Sequence, residues 1–123
     1  MQHRVLSLAL ALLTVSLPLS AAESVSIDVA PRHGFTPVNL RVRVRVEPSR
    51  DNRTLEVVAD SVDFYRRSVI QLDGEHAPRT IVLEFRDIPP GEYEVSGIVL
   101  NAAGARRGGA SQQVSILSTR SER

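Results

Sequence analysis

Cysteine, lysine and tryptophan are absent from this chain of 123 residues, and aromatic residues of any kind make up only 4% of it. Without cysteine there is no disulfide framework and no thiol for lipid attachment at a processed N-terminus, so a folded domain must be held by its core alone. The few aromatic rings leave little material for a sugar-stacking platform. Helical periodicity is missing as well. No window of about a dozen residues after Ser24 carries apolar residues at the i, i+3, i+4, i+7 spacing of an amphipathic helix. All 15 basic residues are arginine, a bias that fits a GC-rich bacterial genome.

What is present begins with a segment of separate character. Gln2-His3-Arg4 is a polar, basic start, Val5 to Leu17 is apolar apart from Ser and Thr, and Pro18-Leu19-Ser20-Ala21-Ala22 ends in small residues. This is the pattern of a secretory leader cleaved after Ala22. The apolar run is shorter than the roughly 20 residues a membrane-spanning helix needs, so no membrane insertion is expected after cleavage. The expected location is the periplasm or the exterior of the cell. The remainder, about 100 residues, has the size of one domain with a self-sufficient core. It carries 14 arginines against 14 acidic residues, and this neutrality argues against nucleic acid or an anionic membrane as a general partner.

Alternation with period two dominates from Ser24 onward and predicts an all-β domain. Val25, Ile27 and Val29 form a first run, ended by Pro31 and Gly34. Leu40, Val42, Val44 and Val46 alternate with Arg41, Arg43 and Arg45 in the clearest half-buried strand of the chain. Further runs follow at Leu55-Val57-Ala59, Ser68-Ile70-Leu72, Ile81-Leu83-Phe85, Tyr93-Val95-Gly97-Val99 and Val114-Ile116. Asn101 to Ala110 reads as a flexible loop. Seven short strands with turn signals roughly every ten residues predict a seven-stranded antiparallel β-sandwich with Greek-key connections. The expected organisation is a leader over 1–22, the sandwich over 23–118 and a frayed tail over 119–123.

The stretch Ile88-Pro89-Pro90-Gly91-Glu92-Tyr93-Glu94-Val95, with Val99, Asn101 and Gly104 after it, resembles the corner and sixth strand of immunoglobulin-like and fibronectin type III-like domains. In those folds a tyrosine at this point returns its hydroxyl to nearby backbone and fixes the crossover between sheets. The resemblance implies a structural corner made by Pro90, Gly91 and Tyr93. Two features depart from the fibronectin type III pattern: one residue fewer separates the glycine from the tyrosine, and the second strand has valines and no tryptophan.

Catalytic chemistry finds little to stand on. His33 and His76 fall in separate loops, no serine sits in a nucleophile elbow, and Asp60, Asp63, Asp73 and Glu75 have no ion-wrapping spacing. The Gly104–Gly109 segment lacks the sequel of a phosphate loop. No catalytic, cofactor-binding or metal residues are assigned, and neither enzyme activity nor a cofactor is expected. Three guanidinium groups at 41, 43 and 45, about 7 Å apart along one strand, could bind an anion or pair with acids such as Glu84 on a neighbouring strand. Asn52-Arg53-Thr54 matches a glycosylation sequon, which matters only in a eukaryotic host.

One feature points to a partner. If Tyr93, Val95 and Val99 face the core, Ile98 and Leu100 face outward, and Val58 does the same on the third run, which neighbours the sixth and seventh in one sheet of such a fold. These residues either form an exposed apolar patch or lie beneath the Asp60–Arg67 loop with Phe64 and Tyr65. The candidate partner-binding residues are Val58, Ile98, Leu100, Phe64 and Tyr65. The expected function is an exported, non-catalytic module that binds another protein, with a small carbohydrate-binding module as the alternative.

Overall fold

Strand formation follows the alternation almost residue for residue where one face is buried. The computed structural model describes residues 24–119, and it holds eight strands, no α-helix and one short 3-10 turn, Gly74–His76. The strands are β1 Val25–Ala30, β2 His33–Phe35, β3 Leu40–Val46, β4 Thr54–Asp60, β5 Tyr65–Gln71, β6 Thr80–Phe85, β7 Gly91–Leu100 and β8 Arg106–Leu117. The expected leader, residues 1–22, lies outside the described residues. No helix among the described residues is long and apolar enough to cross a membrane.

Two sheets form. One has three strands in the order β1-β3-β6, and the other has five in the order β2-β8-β7-β4-β5. All pairs are antiparallel except β2 with β8, which run parallel. The expected seven antiparallel strands are therefore corrected to eight strands, with one sheet mixed. β2 escapes sequence reading because it is three residues long and joins the sheet through backbone pairing, without a side-chain period of its own.

Between the sheets lies one core. In β3 the residues alternate strictly, Leu40, Val42, Val44 and Val46 buried and Arg41, Arg43 and Arg45 exposed. From the opposite sheet come Leu55, Val57, Ala59, Tyr93, Val95, Val99, Val114 and Ile116. Each fully buried Val, Leu or Ile contributes about 1.5–3 kcal/mol relative to exposure. Several crossings between the sheets are tied by side chains. Gln112 on β8 reaches the backbone of Val29 on β1, accepting from its N–H at 3.2 Å and donating to its carbonyl at 3.3 Å.

Two further corrections concern segment ends. β5 starts at Tyr65 rather than Ser68, because Asp60 to Arg67 is no covering loop but a tight hairpin, closed by the Ser61 N–H donating to the Phe64 carbonyl at 2.8 Å. β8 starts at Arg106 rather than Val114, so the flexible loop expected over 101–110 shrinks to a turn. Asn101 Oδ1 organises that turn by accepting from the N–H groups of Ala103 and Ala105 at 3.0 and 2.9 Å. Of the expected tail, residues 120–123 lie outside the described residues, and Thr119 donates its N–H to Thr36 Oγ1 at 3.3 Å.

Candidate functional site

The residues capable of acid–base or metal chemistry are dispersed by this topology. His33 begins β2 at the end of the sandwich where β7 starts, whereas His76 lies in the 3-10 turn beside the far end of β4. Asp60 and Asp63 belong to the β4–β5 hairpin, while Asp73 and Glu75 sit near the opposite end of β5. Among the described residues no group of three His, Cys, Asp or Glu side chains could hold a metal ion. Asn52 of the sequon is buried. Its Nδ2 donates to the Glu47 carbonyl at 2.8 Å, and its Oδ1 accepts from Arg107 Nε at 3.3 Å.

At the corner, Tyr93 is buried and its hydroxyl donates to the Pro89 carbonyl at 2.7 Å, tying the start of β7 to the turn before it. Gly91 is favoured there by its backbone, at a φ of 156° that side-chain-bearing residues rarely adopt, and by close approach. A Cβ at that position would stand 2.8 Å from Ser61 Oγ and 3.4 Å from the Tyr93 ring. Burial pushes the Tyr93 phenol above its ordinary range, with the Arg66 guanidinium opposing the shift. Phe64 meets Tyr93 edge-on, ring centroids 6.0 Å apart at 75°, and packs against the core under the Arg66 guanidinium, 5.1 Å from its centroid. Phe64 is thereby removed from the outward candidates. Its hairpin position turns the ring inward.

The other candidates share one surface, the outer face of the five-stranded sheet. Register across β5, β4, β7 and β8 places Arg67, Val58, Ser96 and Ser111 in one row and Val69, Glu56, Ile98 and Gly109 in the next. Gln71, Thr54, Leu100 and Arg106 form a third row, and Tyr65, Asp60, Glu94 and Gln113 border the face on the other side. Val58, Ile98 and Leu100 are half-buried by their neighbours, while Val69 is 45% and Tyr65 61% exposed. Within the face Arg67 pairs with Glu56. Sequence reasoning missed Val69, Arg106 and Gly109. Extending alternation back through the two arginines of β5 would have put Tyr65, Arg67 and Val69 on one side.

A depression of about 210 Å³ opens in this face between Glu94, Ser96, Ile98, Arg106, Gly109 and Ser111. Its floor exists because Gly109 carries no side chain. The Arg106 guanidinium takes that space, with Nη2 only 2.6 Å from where a Cβ would stand. The site thus combines aliphatic surface, one acid and one base in a shallow recess. Such a surface suits non-covalent contact. It holds no nucleophile paired with a base.

Fold and surface together define a two-sheet, all-β sandwich with a mixed apolar and charged outer face. Among solved structures, the chain is similar to a superoxide reductase (neelaredoxin) from Ignicoccus hospitalis, with a TM-score of 0.60, 12% identity, and 76% of this chain and 80% of that one covered. A variant of the same reductase gives a TM-score of 0.61 at 13% identity, covering 78% and 82%. A family 76 glycoside hydrolase from a bovine Bacteroides thetaiotaomicron strain is also similar, with a TM-score of 0.55 and 15% identity over 75% of this chain but 20% of that one. No protein-family model matches the sequence. No curated protein matches it significantly. At these identities the likeness is one of fold alone. It does not assign the chain to the immunoglobulin-like or fibronectin type III families that the corner resembles.

Proposed function

We propose that this chain is an exported, non-catalytic module of immunoglobulin-like architecture that binds another protein of the cell envelope or exterior. The observation that carries the reading is the placement of Val58, Val69, Ile98, Leu100 and Tyr65 on one outward sheet face, across three adjacent strands. Apolar groups on an outer face, with the Glu56–Arg67 pair set among them and Glu94 and Arg106 at the border, give the mix of apolar and polar contacts found in protein interfaces. Tyr93 and its tie to Pro89 support the immunoglobulin-like reading, as does the repeated crossing of the chain between sheets.

The reductase likeness bears on architecture in this reading, since the chain has no cysteine and its two described histidines are far apart in the fold. Similarity to one fifth of a glycoside hydrolase is consistent with a sandwich that can accompany other domains. A neutral-sugar platform on the same face is the weaker alternative, because the exposed aromatic rings on that face among the described residues, Tyr65 and Phe35, stand on its two opposite edge strands and form no continuous platform. Sugar-array binding that disappears in Tyr65→Ala would favour it.

The absence of cysteine makes a direct test simple. Single-cysteine variants at Val58, at Ile98 and, on the opposite sheet, at Val82 are labelled with a photo-crosslinker and exposed to extracts of the source cell envelope. The reading expects a protein crosslinked from 58 and 98 but not from 82. Equal crosslinking from all three positions, or none from 58 and 98, rejects it.

A further inference from the structure

Overall neutrality conceals a separation of charge between the two sheets. On the outer face of the five-stranded sheet, Glu56, Asp60, Glu92 and Glu94 stand against Arg67 and Arg106. The outer face of the three-stranded sheet is of opposite sign. Arg41, Arg43 and Arg45 run down its central strand, fully outward, with Arg79 beside the end of the row.

The acids that could neutralise this row are engaged elsewhere. Glu84 lies opposite Arg41 and Asp28 opposite Arg43 in register, yet Asp28 pairs with Arg32 at 3.2 Å and Glu84 with Arg86 at 3.6 Å. Among the described residues Arg41, Arg43 and Arg45 make no ion pair. The row is therefore a line of unpaired guanidinium forks, each suited to two-point contact with an oxyanion.

We infer that this face binds a linear acidic polysaccharide, laid along β3 with its carboxylate or sulfate groups on Arg41, Arg43 and Arg45. Guanidinium groups recur about every 7 Å along the strand, a spacing that suits a chain with regularly repeated acidic groups. A broad anionic surface such as a membrane fits less well, because the unpaired positive charge is confined to the single column of β3 and the flanking acids are already paired. Single-stranded nucleic acid fits less well too, since its bases need aromatic rings to stack on and this face has none.

The end of the row adds a second indication. A cavity of about 220 Å³ lies between Arg45, Arg79, Ser24, Ser26 and Glu47. Two cationic donors, two hydroxyls and a carboxylate acceptor suit a saccharide unit that carries both an acid and free hydroxyls. A bare phosphate would meet repulsion from Glu47.

The test is binding of the protein without residues 1–22 to heparin oligosaccharides and to polygalacturonate, the two arms separating sulfate from carboxylate. The inference expects salt-sensitive binding to at least one, weakened about tenfold or more by Arg41→Gln/Arg43→Gln/Arg45→Gln. An Arg→Lys version of that triple variant guards against a folding defect. It keeps the charge, and part of the affinity should survive. Arg50→Gln/Arg53→Gln/Arg67→Gln, with the same loss of charge, and Ile98→Glu/Leu100→Glu on the other sheet should leave binding within about twofold. No binding to either glycan, equal weakening by the charge-matched control, or tighter binding to oligothymidylate or phosphatidylglycerol vesicles would overturn the inference.

Discussion

Ile98 stands directly across from Gly109 in the pairing of β7 with β8, so an outward isoleucine borders a residue with no side chain. The depression on the sheet face depends on that pairing. In Gly109→Val the new side chain would displace the flexible end of Arg106 and press on the Gly97 carbonyl, 3.1 Å from the Cβ position. The domain should still fold, losing about 1–2 kcal/mol, while partner affinity falls by about tenfold or more because the recess is filled. Thermal melts beside a binding titration check both halves.

Tyr93→Phe removes a buried hydrogen bond and leaves the Pro89 carbonyl without it. The cost should be about 1–2 kcal/mol, read as a Tm about 4–15 °C lower.

A pH dependence follows from the same hydroxyl. Burial raises the Tyr93 pKa, so the unfolded chain loses this proton before the folded one does. The contribution is fully present below the unfolded-state value of about 10 and is lost as pH rises through the folded-state value. Denaturant melts on either side of that range should show native stability falling at high pH. Tyr93→Phe should reduce the slope, and an unchanged slope would count against burial as its cause.

Gln112→Ala should destabilise the domain by about 1–3 kcal/mol, because both backbone groups of Val29 lose their side-chain partner at the junction of the two sheets. Hydrogen exchange should accelerate at Val29 more than at Val95 in the middle of the five-stranded sheet. Uniform acceleration would mean that the contact stabilises the whole fold without closing that edge.

Asn52→Ala should cost about 2 kcal/mol or more, since the Glu47 carbonyl and Arg107 Nε both lose a partner at a buried site. Arg107 also reaches Ser49 Oγ at 3.3 Å and Asp51 at 3.6 Å. Arg107→Ala should therefore loosen the β3–β4 connection, measurable as faster exchange at the Asn52 amide.

The strands that sequence reading recovers are those with a strict apolar period, and β3 is the clearest. Its buried valines and exposed arginines follow from the two-residue repeat alone. The stretches it missed are stabilised by backbone pairing or by side chains with no apolar signature. β8 begins with Arg106, Arg107, Gly108 and Gly109, of which Arg106, Gly108 and Gly109 pair with β7 around a register shift at Arg107, even though nothing in them alternates. β5 hides because Arg66 points inward, a position tolerated since this edge strand of the wider sheet is only half-covered. Arg66 lies over Phe64 and donates to the Arg86 carbonyl at 2.6 Å. The outward face was legible in Val58, Ile98 and Leu100. Its recess was not, because Gly109 and Arg106 meet Ile98 only through the register of a hairpin whose start the sequence does not mark.

The most direct test of a binding role for this face is paired capture from envelope extracts, using the tagged protein without residues 1–22 beside an Ile98→Glu/Leu100→Glu variant with an unchanged melting curve. A protein retained by the native domain, lost with the variant, and shown to bind the purified domain directly is the result this account predicts. Retention of the same proteins by both, or of none by the native domain, would contradict it.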